Sequence, residues 1–129
     1  MSKKGLPHPT DTELAILQVL WGRGPSTVRD VHEALSHNRT TGYTTTLKLM
    51  QIMAEKGLVT RDESRRTHIY EAAGNQDRTR QQLVRKLLDR AFEGSAKNLV
   101  MQALSTNEAS AEELTEIRNL LDSLERNLK

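Results

Sequence analysis

A mainly α-helical chain with a single small β-hairpin, divided into two parts, is what this sequence predicts. Three observations carry that reading. Apolar residues recur at helical spacing through six stretches, whereas strand-like segments occur only between residues 58 and 71. Aromatics make up 3% of the chain, so a core of Leu, Ile, Val, Met and Ala must be assembled mostly from helices. A break at Ala73-Gly74-Asn75 separates a mixed segment, 1–74, from a purely helical one, 75–129.

Charge and composition narrow the function classes. The net charge of +2 is small, but its distribution is uneven. Arg61, Arg65 and Arg66 cluster in the hairpin region, and Arg78, Arg80, Arg85, Lys86 and Arg90 follow. Glu108, Glu112, Glu113, Glu116, Asp122 and Glu125 gather near the other end, so the two parts offer different surfaces to different partners. The chain has no cysteine, which excludes disulfides, thiolate metal sites and cysteine nucleophiles. No stretch is long and apolar enough to span a membrane, and the N-terminus lacks the apolar core of a signal peptide; a cytoplasmic protein with no membrane association is expected.

The elements follow in order. Met1 to Pro9 reads as a loose arm, with Lys3 and Lys4 either solvated or touching phosphate. Thr10-Asp11-Thr12-Glu13 is a capping box that opens a first helix, with Leu14, Leu17, Val19, Leu20 and Trp21 as its buried stripe and Gly22 and Gly24-Pro25 at its end. A second helix, from about Thr27 to His37 and capped by Ser26 or Thr27, turns Val28, Val31, Ala34 and Leu35 inward. His32 and His37 lack the spacing and the carboxylate company of a zinc site, and no metal is expected.

A third helix spans Gly42 to Lys56. At 100° per residue, Tyr43, Thr46, Leu47, Met50, Met53 and Ala54 share a face expected to be buried, with Leu49 on its flank. Thr44, Thr45, Lys48 and Gln51 point elsewhere. Such side chains suit phosphate oxygens and base edges, and the free amides of the helix N-terminus suit a phosphate; a solvated helix face is the alternative. Gly57 stops the helix. Leu58–Arg61 and Thr67–Glu71 then read as two strands, with Arg65 and Arg66 in the connecting tip and His68 packed or bonded to backbone. A helix followed directly by a basic hairpin is the arrangement of a winged helix-turn-helix module, whose wing reaches flanking phosphate or minor groove.

Beyond the break, a fourth helix, about Asp77 to Phe92, carries Leu83, Val84, Leu87, Leu88 and Phe92. After Gly94-Ser95 a fifth, about Ala96 to Leu104, carries Leu99 and Val100. Ser110-Ala111-Glu112-Glu113 is a second capping box, opening a sixth helix with Leu114, Ile117, Leu120, Leu121, Leu124 and Leu128. This much apolar surface on three helices needs a cover, and a second copy related by a two-fold axis is the expected one. The dimerisation residues expected are Leu83, Leu87, Leu88, Phe92, Leu99, Val100, Leu114, Ile117, Leu121 and Leu124.

Three segments carry a family resemblance: LPHPTDTELAILQVLWGRGPSTVRDVHEAL, GYTTTLKLMQIMAEKGLVTRDESRRTHIYEA and EELTEIRNLLDSLE. Tryptophan before a glycine-bearing turn, Tyr-Thr-Thr opening the third helix, Lys-Gly-Leu, and an arginine-bearing wing with His-x-Tyr are specific in combination. From Pro9 to Arg126 the chain resembles the penicillinase-repressor (BlaI/MecI/CopY type) family of winged-helix transcriptional regulators. The resemblance implies a homodimer that binds an inverted-repeat operator in double-stranded DNA and represses transcription without a cofactor. It implies that the third helix enters the major groove with Thr44, Thr45 and Lys48, to which the helix-face reading adds Gln51, and that Arg65 and Arg66 supply backbone contacts from the wing. In some family members a regulatory protease cuts an Asn-Phe bond in the C-terminal domain. The corresponding place is near Gln102-Ala103, and this chain contains no Asn-Phe. The cysteine-rich metal site of the copper-responsive branch is also absent.

Two other readings compete. One is a winged-helix protein-interaction module docking through its acidic, leucine-rich tail. The other is an enzyme, which scattered histidines and the lack of paired carboxylates or a glycine-rich phosphate loop argue against.

Overall fold

The computed structural model describes residues 8–37 and 41–128. Lys3 and Lys4 of the N-terminal arm lie outside the described residues, as does most of the turn before the third helix. The elements are α1 (Asp11–Arg23), α2 (Val28–Leu35), α3 (Tyr43–Lys56), β1 (Val59–Asp62), β2 (Ile69–Ala72), α4 (Gln76–Ala91), α5 (Ala96–Thr106) and α6 (Ala111–Asn127). The chain is mainly α with a small β-wing. It forms two compact units, Met1–Arg85 and Lys86–Lys129, with α4 contributing to both.

In the first unit local signals set the boundaries. The Thr10 hydroxyl accepts from the Glu13 N–H while the Thr10 N–H donates to Glu13 Oε1. Thr27 and Asp30 form a second, reciprocal box at the start of α2, which makes Thr27 rather than Ser26 the cap. The α2 helix ends at Leu35, two residues short of the expected His37. At the end of α3, Gly57 adopts φ 86°, and the Leu58 N–H donates to the Met53 carbonyl at 2.9 Å. That pairing is a Schellman closure, and its two flanking side chains, Met53 and Leu58, are both core residues.

β1 and β2 pair antiparallel, with Val59 opposite Ala72 and Asp62 opposite Ile69. Ser26, expected only as a helix cap, instead bridges the hairpin. Its N–H donates to the Tyr70 carbonyl and its carbonyl accepts from the Tyr70 N–H, at 2.9 and 2.7 Å. This extra rung ties the α1–α2 turn to the wing.

The core gathers Ile16, Leu17 and Leu20 of α1, Val28, Val31 and Leu35 of α2, Met50 and Met53 of α3, and Leu58, Val59 and Tyr70 from the hairpin region. Ile16, missing from the expected stripe, is fully buried, whereas Leu14 is half-buried. Trp21 is half-buried rather than a deep anchor. Its Nε1–H donates to the Gly74 carbonyl at 3.0 Å, fastening α1 to the chain leaving the wing. Tyr43 departs most from expectation: it is 42% exposed and lies outside the core.

The second unit differs in kind. Its helices are well capped, by Ser95 for α5 and by the Ser110–Glu113 box for α6. Yet neither α5 nor α6 has a buried residue, and in α4 only Thr79 is buried. The helices are therefore specified locally, while their apolar residues stay exposed or half-buried.

Candidate nucleic-acid interface

The α3 helix is held by its inner face. Thr46, Met50 and Met53 are buried, with Leu47, Leu49 and Ala54 packed partly against the core. The Thr46 hydroxyl donates to the Gly42 carbonyl, so this buried polar atom is satisfied within the helix. At the far end, Lys56 Nζ lies 2.9 Å from both carboxylate oxygens of Glu13, a residue 2% exposed. Burial by itself would raise the Glu13 carboxyl, but the Lys56 ammonium and the Thr10 bonds outweigh it and hold it below the ordinary range. One carboxylate thus closes the α1 cap and pins the C-terminus of α3. Sequence reasoning missed this pair, because no periodicity links residues 43 positions apart.

With its inner face and C-terminus fixed, α3 presents Thr44, Thr45, Lys48 and Gln51, all exposed, on its N-terminal half. The helix starts at Gly42, which has no side chain to cap the first turn. In α1, α2 and α6 the corresponding amides are engaged by capping boxes. At α3 no side chain among the described residues caps those donors, and the helix dipole there favours an anion.

The wing extends from the same unit. Arg65 and Arg66 stand exposed at its tip, as expected. Arg61, which belongs to the same basic cluster, is also exposed but already ion-paired: its guanidinium meets the Glu63 carboxylate at 2.6 Å. Asp62 Oδ1 accepts from the Ser64 N–H at 2.9 Å, which bends the chain into the tip. Hydrogen bonds from Ser64 hold the Asp62 carboxyl below the ordinary range. His68, expected to pack or bond, is exposed. A groove of about 620 Å³ runs between the start of α2, the outer face of α3 and the wing, lined among others by Arg29, Tyr43, Gln51, Arg66 and His68. Gln51 and Arg66, chosen from separate elements, therefore share one surface, while Arg29 and Tyr43 were not anticipated on it.

The expected dimerisation residues divide. Leu87, Val100, Leu114, Leu121 and Leu124 are exposed, at 39–53%. Leu83, Leu88, Phe92, Leu99 and Ile117 are half-buried. Among the described residues no group of three or more His, Cys, Asp and Glu could hold a metal ion, and no helix is long and apolar enough to cross a membrane.

Three helices, an uncapped and exposed third helix, and a two-stranded wing define the winged helix-turn-helix class. The same architecture occurs in the solution structure of the DNA binding domain of the repressor BlaI, with a TM-score of 0.51 and 21% identity over 59% of this chain and 93% of that one. Residues 9–123 match the penicillinase repressor family, and the chain belongs to that family of transcriptional regulators. It is 33% identical to the transcriptional regulator BlaI of Mycobacterium tuberculosis, over 89% of this chain and 83% of the relative. To the penicillinase repressor of Bacillus licheniformis it is 22% identical, over 92% and 93% of the two chains. These relatives are regulators and repressors, not enzymes.

Proposed function

We propose that this chain is a cytoplasmic repressor that binds an inverted-repeat DNA operator as a homodimer. The observation that carries the DNA reading is the face of α3: four exposed side chains able to bond bases or phosphate, beside an uncapped helix N-terminus and a basic wing tip. In this reading α3 lies in the major groove. Thr44, Thr45, Lys48 and Gln51 meet base edges, and Arg65 and Arg66 bond the flanking backbone and set the register. Repression is steric, with two recognition helices entering successive major grooves about 34 Å apart and the bound dimer blocking polymerase.

The apolar residues exposed along α4, α5 and α6 support the homodimer. A water-facing surface with this many leucines is covered most simply by its own symmetry mate. A groove of about 610 Å³ between α5 and α6, lined by Leu104, Ile117 and Leu120 with Glu108, Glu113 and Glu116 around them, adds a concave seat for such a partner. A regulatory protease acting near Gln102-Ala103 would first have to unwind α5, since both residues are helical and a protease needs extended chain.

Footprinting on the DNA upstream of the chain's own gene tests the reading, followed by gel-shift titration of the protected duplex. Wild-type protein is expected to protect two half-sites and to lose affinity steeply with salt, through release of counterions from several contacted phosphates. Lys48→Ala is expected to weaken binding with an unchanged melting curve. Operator affinity indifferent to salt would sink the proposal. An unchanged Lys48→Ala titration would remove Lys48 from the interface.

A further inference from the structure

The groove between α2, α3 and the wing contains a cation that the function proposed above leaves unused. Arg29 is the second residue of α2 and is exposed. Its guanidinium carbon lies 5.7 Å from the centroid of the Tyr43 ring, within cation–π range. A second partner of that ring is His32, one turn along α2, whose imidazole meets it edge-on at 5.7 Å and 85°. Arg29 and His32 thus hold one aromatic ring between them, and the ring belongs to the first residue of α3. This explains why Tyr43 is 42% exposed although the helical pattern assigns it to the core. Its ring is occupied by α2 side chains at the surface.

The surroundings of Arg29 are suited to an anion. Among the described residues no carboxylate lines the groove. The nearest acid in sequence, Asp30, is engaged by the Thr27 N–H and lies 3.8 Å from Arg23. Among the described residues Arg29 has no carboxylate partner. Arg66 of the wing lines the same groove, and Gln51 of α3 lies on it too. A groove with an arginine contributed by each of two elements, and no acid, matches a phosphodiester strand.

We infer that Arg29 is an additional DNA-backbone contact, with Tyr43 as the positioning residue that holds its guanidinium over the groove. The inference rests on the DNA-binding reading and adds to it a non-specific anchor on α2. An arginine restrained on an aromatic ring gives up less rotamer freedom when it meets phosphate than a free surface arginine does. Arg29 then contributes affinity without base preference.

The test is fluorescence anisotropy of the full-length protein on a random-sequence duplex across a salt series, because a phosphate contact needs no operator. Arg29→Gln is expected to weaken binding about tenfold at low salt and to flatten the slope of log affinity against log salt by about 1. Tyr43→Phe keeps the ring and should match wild type. Tyr43→Leu should lose part of the affinity, and adding Arg29→Gln to it should cost less than Arg29→Gln costs alone. Arg29→Lys should restore the slope, since charge sets it. If Arg29→Gln retains the wild-type slope, the inference is overturned while the DNA reading stands. If wild-type protein shows no salt-dependent duplex binding at all, the DNA reading itself fails and takes this inference with it.

Discussion

Replacing Lys56 with methionine would remove the cation that faces Glu13 from the end of α3. The carboxylate left behind has a side chain 3% exposed and keeps only its capping bonds with Thr10. Stripping one partner from a buried ion pair costs about 3–5 kcal/mol. Here the Lys56 side chain is 34% exposed, so water already screens that end and about 2–3 kcal/mol is the expected loss. Glu13→Gln should cost less, about 1 kcal/mol, because the amide oxygen can still cap Thr10 and Lys56 can turn to solvent. The double variant Glu13→Gln, Lys56→Met should be more stable than Lys56→Met alone, because no charge is then stranded. Urea unfolding followed by Trp21 fluorescence reads the first unit directly, since Trp21 is the chain's single tryptophan and is bonded to Gly74. With a slope of about 2 kcal/mol per molar, the midpoint of Lys56→Met should fall by about 1 M or slightly more.

The pH dependence follows from the direction of the Glu13 shift. Its folded-state pKa is depressed, so its contribution is present above the unfolded value of 4.5 and is lost as pH falls through the lower folded-state value. The gap between wild type and Lys56→Met should therefore be full at neutral pH and close in acid. A Lys56→Met midpoint equal to wild type, or a Glu13→Gln variant as unstable as Lys56→Met, would refute the reasoning.

Other substitutions probe the remaining joints. Gly57→Ala places a side chain at φ 86° where nothing crowds it, so the cost is purely conformational. About 1–2 kcal/mol should be lost in the same urea assay. Trp21→Phe removes the donor to the Gly74 carbonyl and should cost about 1 kcal/mol, read by circular dichroism because the fluorophore is gone. Leu121→Glu with Leu124→Glu charges two positions of α6 that are each 53% exposed. In the dimer reading this pair halves the mass seen by sedimentation equilibrium while helicity persists; an unchanged mass would exclude these residues from the dimer contact.

Much of the fold was legible because its punctuation is local. A capping box acts over three residues and a Schellman glycine over five, so Thr10–Glu13, Ser110–Glu113 and Gly57 declare helix ends without reference to the rest of the chain. Helical periodicity likewise separated Thr46, Met50 and Met53, which are buried, from Thr44, Thr45, Lys48 and Gln51, which are not. The α2 cap was open between Ser26 and Thr27 in the sequence, since both carry a hydroxyl. The structure decided it because the Ser26 hydroxyl donates to the Gly24 carbonyl, while Thr27 and Asp30 form the box.

From the sequence alone came the mainly α architecture, the wing, the exposed face of α3 and the excess of apolar surface beyond Asn75. Each of these depends on patterns within one element or on composition. Tertiary structure decided the rest: Glu13 under Lys56, Ser26 beside Tyr70, Trp21 against Gly74, Arg61 turned to Glu63, and Tyr43 held outside the core by Arg29 and His32. Most of these pairings join side chains or backbone from elements distant in the chain. Their partners are chosen by how the helices and wing pack, which no periodicity within a single element encodes.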